Sequence, residues 1–410
     1  MNMKKILALL TAVCLMLAVL TGCGSGTQVV EYTETEMEEM TESTQAAAAE
    51  TASEAAAQSV GQGGTGASFA DLDTVVATVN GDDITWEEYY YWLSYYVSYV
   101  TALASSYGFT ITDWTANDLS ATATNAEAVI AEAQYAAVQY HIYEQEAAAQ
   151  GLTVDDAVNA EIDETVALNA DTYYGDGDGT ATDEEMAILE DALAETGVTM
   201  DLVRYQTAVS ILNAESFTAQ YGEDGADYPD EDVAAFVADN GLLNAKHIML
   251  MTIDADTGEA LDDETIAEKE ALAEDLLAQL QAVEGDTEAL NALFDELMNT
   301  YSEDTGLAAY PNGYIFTEGE MVEAFETAVE GLDENYGLSG IVESEYGYHI
   351  ILRMPLTPED LYTNSSGVSY TLRDVAASND FTARLSALQE EADIQWGENF
   401  QTVDLVTIFG

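Results

Sequence analysis

Basic residues are scarce in this chain of 410 residues: 8 Lys and Arg stand against 78 Asp and Glu, for a formal charge of −70. A surface so negative repels phosphate backbones, which excludes nucleic acid as a partner, and it repels anionic lipid head groups too. Two readings of the charge stay open, attraction of basic unfolded polypeptides and adaptation to an ion-rich surrounding. Cysteine is scarcer still. Cys14 lies within the first apolar stretch and Cys23 just beyond it, so no disulfide framework can form. With three histidines, no HExxH and no CxxC, the chain has too little His and Cys to build a metal centre, and no metal or other cofactor is expected. A long apolar run is missing as well. The uncharged stretch Ile6 to Leu20 is too short for a comfortable membrane span.

That stretch suits the core of a signal peptide, preceded as it is by Lys4 and Lys5. Leu20-Thr21-Gly22-Cys23 follows at once and resembles a bacterial lipobox. The resemblance implies a leader over 1–22 and lipidation of Cys23, and so attachment to the cell membrane on its extracytoplasmic side. The rival reading is ordinary secretion with an incidental cysteine. Residues 23–70 are low in complexity, mostly Thr, Glu, Ala, Ser, Gln and Gly, with an apolar content that is mainly Ala, and cannot bury a core. They read as a disordered acidic tether with a root-mean-square span of roughly 35–40 Å.

From residue 71 the pattern is that of a folded body. Thr74 to Val79, Asn80-Gly81 and Ile84-Thr85 read as a strand, a tight turn and a short return. Thr85 and Glu88 have the spacing of a capping box, and Tyr89, Tyr90, Trp92, Leu93, Tyr96, Val97 and Val100 recur at helical spacing. This aromatic stripe is either core or a surface for binding other chains. Further helices are expected over 126–150 with Asn125 as cap, 157–169, 184–195 and 200–221. His141 sits within the second of these with no partner ligand in view. Asp176, Asp178 and Glu185 have part of the spacing of a calcium loop, but Tyr174 occupies its first position, which favours an acidic turn between helices.

Two of the three histidines fall in short strand-like runs about a hundred residues apart, Ala245-Lys246-His247-Ile248-Met249-Leu250 and Tyr346-Gly347-Tyr348-His349-Ile350-Ile351-Leu352. Between them come Tyr301-Ser302-Glu303-Asp304 and Gly319-Glu320-Met321-Val322-Glu323-Ala324-Phe325-Glu326, with helices expected over 266–283 and 287–300. In this order the four segments resemble the parvulin family of peptidyl-prolyl cis/trans isomerases. The resemblance covers 241–356 and implies an α+β fold, a small antiparallel sheet flanked by helices. The Val-Asn-Gly-x-x-Ile-Thr-x-Glu-Glu pattern at 79–88 resembles the start of the helical chaperone domain of PrsA/SurA-like foldases. That implies a mainly helical domain over 71–240, completed by 357–410, whose helix spans 370–393 and whose tail at 403–409 reads as strand.

Turning an X-Pro bond crosses a barrier of about 18–20 kcal/mol and needs neither nucleophile nor cofactor. It needs an apolar socket for the ring and polar groups that favour the twisted amide. The resemblance puts Phe316, Met321 and Phe325 in the socket, Met321 and Phe325 being four apart and so on one helical face. It makes His247 and His349 the paired histidines of the two central strands and sets Asp304 beside the reacting carbonyl, where a carboxylate acts electrostatically. Ala309 to Phe316 departs from the Gly-Gly-Asp-Leu-Gly stretch of many relatives. The loop after His247, Asp254 to Glu259, has no basic residue to select phosphoserine.

The chain therefore reads as a lipid-anchored isomerase and foldase acting on unfolded exported polypeptides with X-Pro bonds. The alternative is a holdase that keeps the parvulin fold as scaffold. A calcium-dependent adhesin is a third reading, resting on charge and the 174–185 loop alone.

Overall fold

Asn80 and Gly81 both adopt positive φ, 54° and 97°, the turn that matches the twist of two antiparallel strands. They join β1 (Val75–Val79) to β2 (Asp82–Thr85), and Thr85 then caps α1 (Trp86–Ser106) in a full capping box with Glu88. The computed structural model describes residues 70–409 except 176, 256, 334–335, 364–367 and 402. The leader over 1–22, Cys23 and the tether up to 69 lie outside the described residues.

The chain divides into two units. One takes the described residues up to Gln220 together with those from Asn379 on; the other is Tyr221–Ser378. Of the C-terminal 357–410, the part up to Ser378 thus belongs to the second unit. The C-terminal boundary falls within a helix, α10 (Leu372–Glu391).

In the first unit the helices are α1, α2 (Asn125–Ala149), α3 (Asp156–Tyr174), α4 (Asp183–Thr196) and α5 (Met200–Tyr221). Asn125 is not the cap of α2. Thr124 is, paired with Glu127, and Asn125 instead accepts the N–H groups of Asp118 and Leu119. The aromatic stripe of α1 is core: Tyr89, Tyr90, Trp92, Leu93 and Val97 are buried, and rings of the C-terminal segment pack on it, Trp396 against Tyr89 at 4.9 Å and Phe400 against Trp86 at 5.8 Å. That segment adds β9 (Ile394–Trp396) to the free edge of β1. Its tail is helical, α11 (Leu405–Phe409), where the sequence suggested strand, because Leu405 and Ile408 are the buried pair and their spacing is helical. His141 is buried, with Nε2 3.3 Å from Glu88 Oε1. In the acidic turn before α4, Glu185 closes a capping box on Thr182 and Asp178 accepts the Thr180 N–H, so both carboxylates serve their own backbone; Asp176 is not among the described residues.

The second unit begins with α6 (Asp230–Asp239) and is built on a four-stranded antiparallel sheet of order β4-β3-β6-β5. Its strands are β3 (Leu243–Met251), β4 (Tyr314–Phe316), β5 (Leu338–Glu343) and β6 (Gly347–Arg353). One face packs Ile248, Leu250, Ile350 and Leu352 against α7 (Asp263–Gln281) and α8 (Thr287–Tyr301), through Leu276, Leu280, Leu290 and Phe294. The other packs Ala245, Phe316 and Ile351 against α9 (Glu323–Glu330), through Phe325 and Val329. A hairpin of β7 (Leu361–Thr363) and β8 (Ser369–Thr371) precedes α10. The α+β architecture is the one expected. Lys246, 5 % exposed, points to the α7/α8 face and meets Asp295 at 2.7 Å and Asn291 at 3.1 Å, which satisfies its buried ammonium.

Phe294 is fully buried at the centre of the α7/α8 face. Phe294→Ala should destabilise this unit by about 3–5 kcal/mol. Hydrogen exchange will show it as faster exchange of the β3 and β6 amides.

Candidate isomerase site

The site is set by strand register. β3 and β6 pair antiparallel over seven residues, with His247 opposite Ile351 and His349 opposite Met249. Side chains alternate along a strand, so both imidazoles emerge on the α9 face, diagonal to each other. Their rings stack at 5.3 Å and 15°, and their Nδ1 atoms are 3.1 Å apart. His349 is buried, and its Nε2 meets Ser344 Oγ at 2.7 Å.

Asp304 arrives from another direction. β4 pairs only with residues 243–245 of β3, and the 302–304 segment bonds to β3 further along. Glu303 N donates to the Met249 carbonyl at 2.8 Å, the Met249 N–H donates to Ser302 Oγ and the Met251 N–H to Glu303 Oε2. These bonds carry Asp304 Oδ2 to 2.9 Å from His247 Nε2. Tyr314 Oη donates to the same oxygen at 2.7 Å, and the Gly306 N–H donates to Oδ1 at 2.9 Å. Burial by itself raises the Asp304 carboxyl, but the bonds from His247, Tyr314 and Gly306 outweigh it and hold the group at about 2. His349 is pushed down to about 4, first by burial and then by the neighbouring His247.

The apolar residues gather beside this polar chain. Phe316 and Phe325 lie 5.7 Å apart, and Phe325 sets its edge against His247 at 5.3 Å. Both rings are only 2 % exposed, so they form the floor of the socket and not its open walls. Met321 is half-buried on the same cluster and is the member that reaches solvent. It is not helical: α9 starts at Glu323 with Val322 as its cap, so the helical-face argument for Met321 and Phe325 fails. Glu326 does the placing instead. Its Oε1 accepts the N–H groups of Gly319 at 2.9 Å and Met321 at 2.8 Å and folds the preceding loop over the floor.

All six residues expected in the site thus fall in one place, while Cys23 lies outside the described residues. Tyr314, Glu326 and Ser344 were not anticipated. Tyr314 was within reach, since it stands two before Phe316 and a strand puts both on one face.

A strand-paired histidine couple, a carboxylate from a loop and a Phe-Phe-Met floor are the parts that the resemblance to the parvulins implies. The chain matches the PPIC-type PPIASE domain over residues 234–353, and it carries a domain of this class. The proteins it resembles in sequence include Foldase protein PrsA 1 of Listeria monocytogenes, 35% identical over 107 residues that make up 25% of this chain and 35% of that protein. Foldase protein PrsA of Halalkalibacterium halodurans is 29% identical over 190 residues, 42% of this chain and 45% of the relative. A putative peptidyl-prolyl cis-trans isomerase, dodo, of Drosophila melanogaster is 45% identical over 62 residues, 15% of this chain and 37% of the relative. The chain therefore spans less than half the length of each of these relatives. Among solved structures, PrsA from Bacillus cereus is similar with a TM-score of 0.27 at 16% identity, covering 71% of this chain and 97% of that one. PrsA from Bacillus subtilis gives 0.22 at 18% identity, covering 66% and 85%.

His349 should titrate near pH 4 by NMR, far below its ordinary 6.5. Its unfolded form binds the proton first, so its contribution to stability is complete above 6.5 and is lost as pH falls towards 4. The loss is on the order of 3 kcal/mol. Asp304, lowered likewise, adds a second loss as pH drops from 3.8 through about 2.

Proposed function

We propose that this protein is an extracytoplasmic peptidyl-prolyl cis/trans isomerase and foldase, which turns X-Pro bonds in unfolded exported polypeptides without a covalent step. The observation that carries this reading is the ionised Asp304 bonded to the His247–His349 pair directly above the Phe316–Phe325–Met321 floor. The floor accepts the proline ring, and the half-buried Met321 closes over it. Rotation removes amide resonance, so negative charge drains from the carbonyl oxygen onto the imide nitrogen. A fixed carboxylate beside that oxygen disfavours the planar amide relative to the twisted one. The chain has no cysteine beyond Cys23, so a thiol takes no part.

The 309–316 stretch, whose unusual sequence motivates the holdase alternative, still delivers Phe316 to the floor. Nothing basic is left to hold a phosphate. Lys246 is bonded to Asp295, Lys269 to Glu303, Arg353 to the carbonyls of Val329 and Leu332, and Arg373 to Asp230 and Glu359. These are all the basic residues of the second unit, and their commitment supports turnover that does not depend on phosphorylation.

His247, Asp304 and His349 are read as the catalytic group, and Phe316, Met321 and Phe325 as the residues that bind the proline. Cys23 is read as the lipid anchor, with 23–70 as tether and the first unit as a client-holding domain. Among the described residues no helix is long and apolar enough to cross a membrane. Cys23→Ser should move the protein from the membrane fraction to the soluble one; retention of the variant in the membrane fraction would remove the anchor from the reading.

Protease-coupled isomerisation of short Xaa-Pro peptides tests the activity. The wild type should accelerate it, Met321→Ala should lower kcat/KM by roughly tenfold through lost burial, and Asp304→Ala should abolish most of the acceleration. Phosphoserine-proline peptides should be turned over no faster than serine-proline ones. A folded wild type that accelerates nothing would leave the holdase in possession.

A further inference from the structure

The 309–316 segment, which departs from the Gly-Gly-Asp-Leu-Gly stretch of many parvulins, is also where a hydroxyl enters the site. The Tyr314 ring lies 4.6 Å from Tyr310 and edge-on to His247 at 5.7 Å, and its Oη is 2.7 Å from Asp304 Oδ2. An ionised carboxylate only accepts, so the hydrogen of this bond belongs to Tyr314. The same logic runs along the whole chain. Asp304 Oδ2 also faces His247 Nε2, which must therefore carry a hydrogen. When His247 carries its hydrogen on Nε2 alone, its Nδ1 is bare, and the 3.1 Å contact is made by a hydrogen on His349 Nδ1. His349 Nε2 is bare in turn and takes the hydroxyl hydrogen of Ser344 at 2.7 Å, while Ser344 Oγ accepts the Tyr346 N–H at 3.2 Å. Every side-chain donor points towards Asp304. A second hydrogen on either ring would break this order.

We propose that Tyr314 is a positioning residue for the isomerase: its hydroxyl holds the Asp304 carboxylate aimed at His247, and so orders the hydrogen-bond chain through both histidines to Ser344. The proposal rests on the isomerase reading above. It gives the departing 309–316 stretch a part in catalysis that its sequence alone does not suggest. Space at the contact is tight. A Cβ on Gly306, whose N–H bonds the other Asp304 oxygen, would stand 2.1 Å from Tyr314 Oη, so the glycine is what admits the hydroxyl.

Tyr314→Phe deletes the hydroxyl and keeps the ring against Tyr310 and His247. In the full-length protein it should lower kcat by roughly tenfold, the worth of a hydrogen bond to a charged group, with KM unchanged. The same change made in Asp304→Asn should have no further effect, because the two residues act through one bond. Gly306→Ala, which displaces the hydroxyl without removing it, should reproduce the loss in kcat. Nitrogen-15 spectra of histidine-labelled protein at neutral pH should show hydrogen on His247 Nε2 and on His349 Nδ1, and Tyr314→Phe should shift the His247 Nε2 signal. An active wild type with an indifferent Tyr314→Phe overturns the proposal, as does an equal loss in the Asp304→Asn background or hydrogen on the opposite nitrogens. An inactive wild type overturns the isomerase reading itself, and the spectra then still decide the hydrogen-bond direction.

Discussion

The antiparallel ladder between β3 and β6 is the constraint on which the second unit depends. Because the side-chain period of a strand is two, a slip of one residue in either strand would send its histidine to the opposite face. That face is filled by α7 and α8, and Ile248, Leu250, Ile350 and Leu352 pack there. Burial of those four residues therefore fixes the position of the polar pair on the other side. The register that buries the core is the register that assembles the chemistry, so selection for stability and selection for the site act on the same pairing.

The two faces differ in kind. The α7/α8 face is a packed hydrophobic layer with one buried ammonium, Lys246, satisfied by Asp295 and Asn291. The α9 face carries an ionised carboxylate close to aromatic rings, an arrangement that is costly unless the charge is fully bonded. Asp304 takes three donors from three parts of the chain: a strand histidine, a tyrosine of β4 and a backbone amide of its own turn. Each donor is itself anchored, His247 by its ladder, Tyr314 by the short β4 pairing, Gly306 by the loop that stitches 302–304 to β3. A charge held so firmly need not reorganise, which is what the electrostatic role proposed for Asp304 asks of it.

Much of this was legible in the sequence because it is written in local periodicity. The turn at Asn80-Gly81, the capping box of Thr85 and Glu88, the helix from Met200 to Tyr221 and the two histidine strands each rest on a few neighbouring residues. What was misread turned on choices between close alternatives. Thr124 and Asn125 are both good caps, and only the pairing with Glu127 decides between them. Met321 and Phe325 have helical spacing, yet Val322 opens the helix after Met321. The apolar Val403–Phe409 tail is short and rich in β-branched residues, which suggests strand, and burial of Leu405 and Ile408 selects the helix. Glu326 and Ser344 could not be read at all, since their parts depend on which backbone amides and which imidazole the fold brings to them.

The commitment of every basic side chain in the second unit has a consequence for the medium the protein works in. Lys246, Lys269, Arg353 and Arg373 are all engaged, so the remaining carboxylates have no protein cation to answer them. Their counter-ions must come from solution. In most proteins added salt screens attractive pairs and repulsive ones in comparable measure; here repulsion is nearly all there is to screen. Added salt therefore screens mainly repulsion in this unit, so rising ionic strength favours its compact state over the unfolded one.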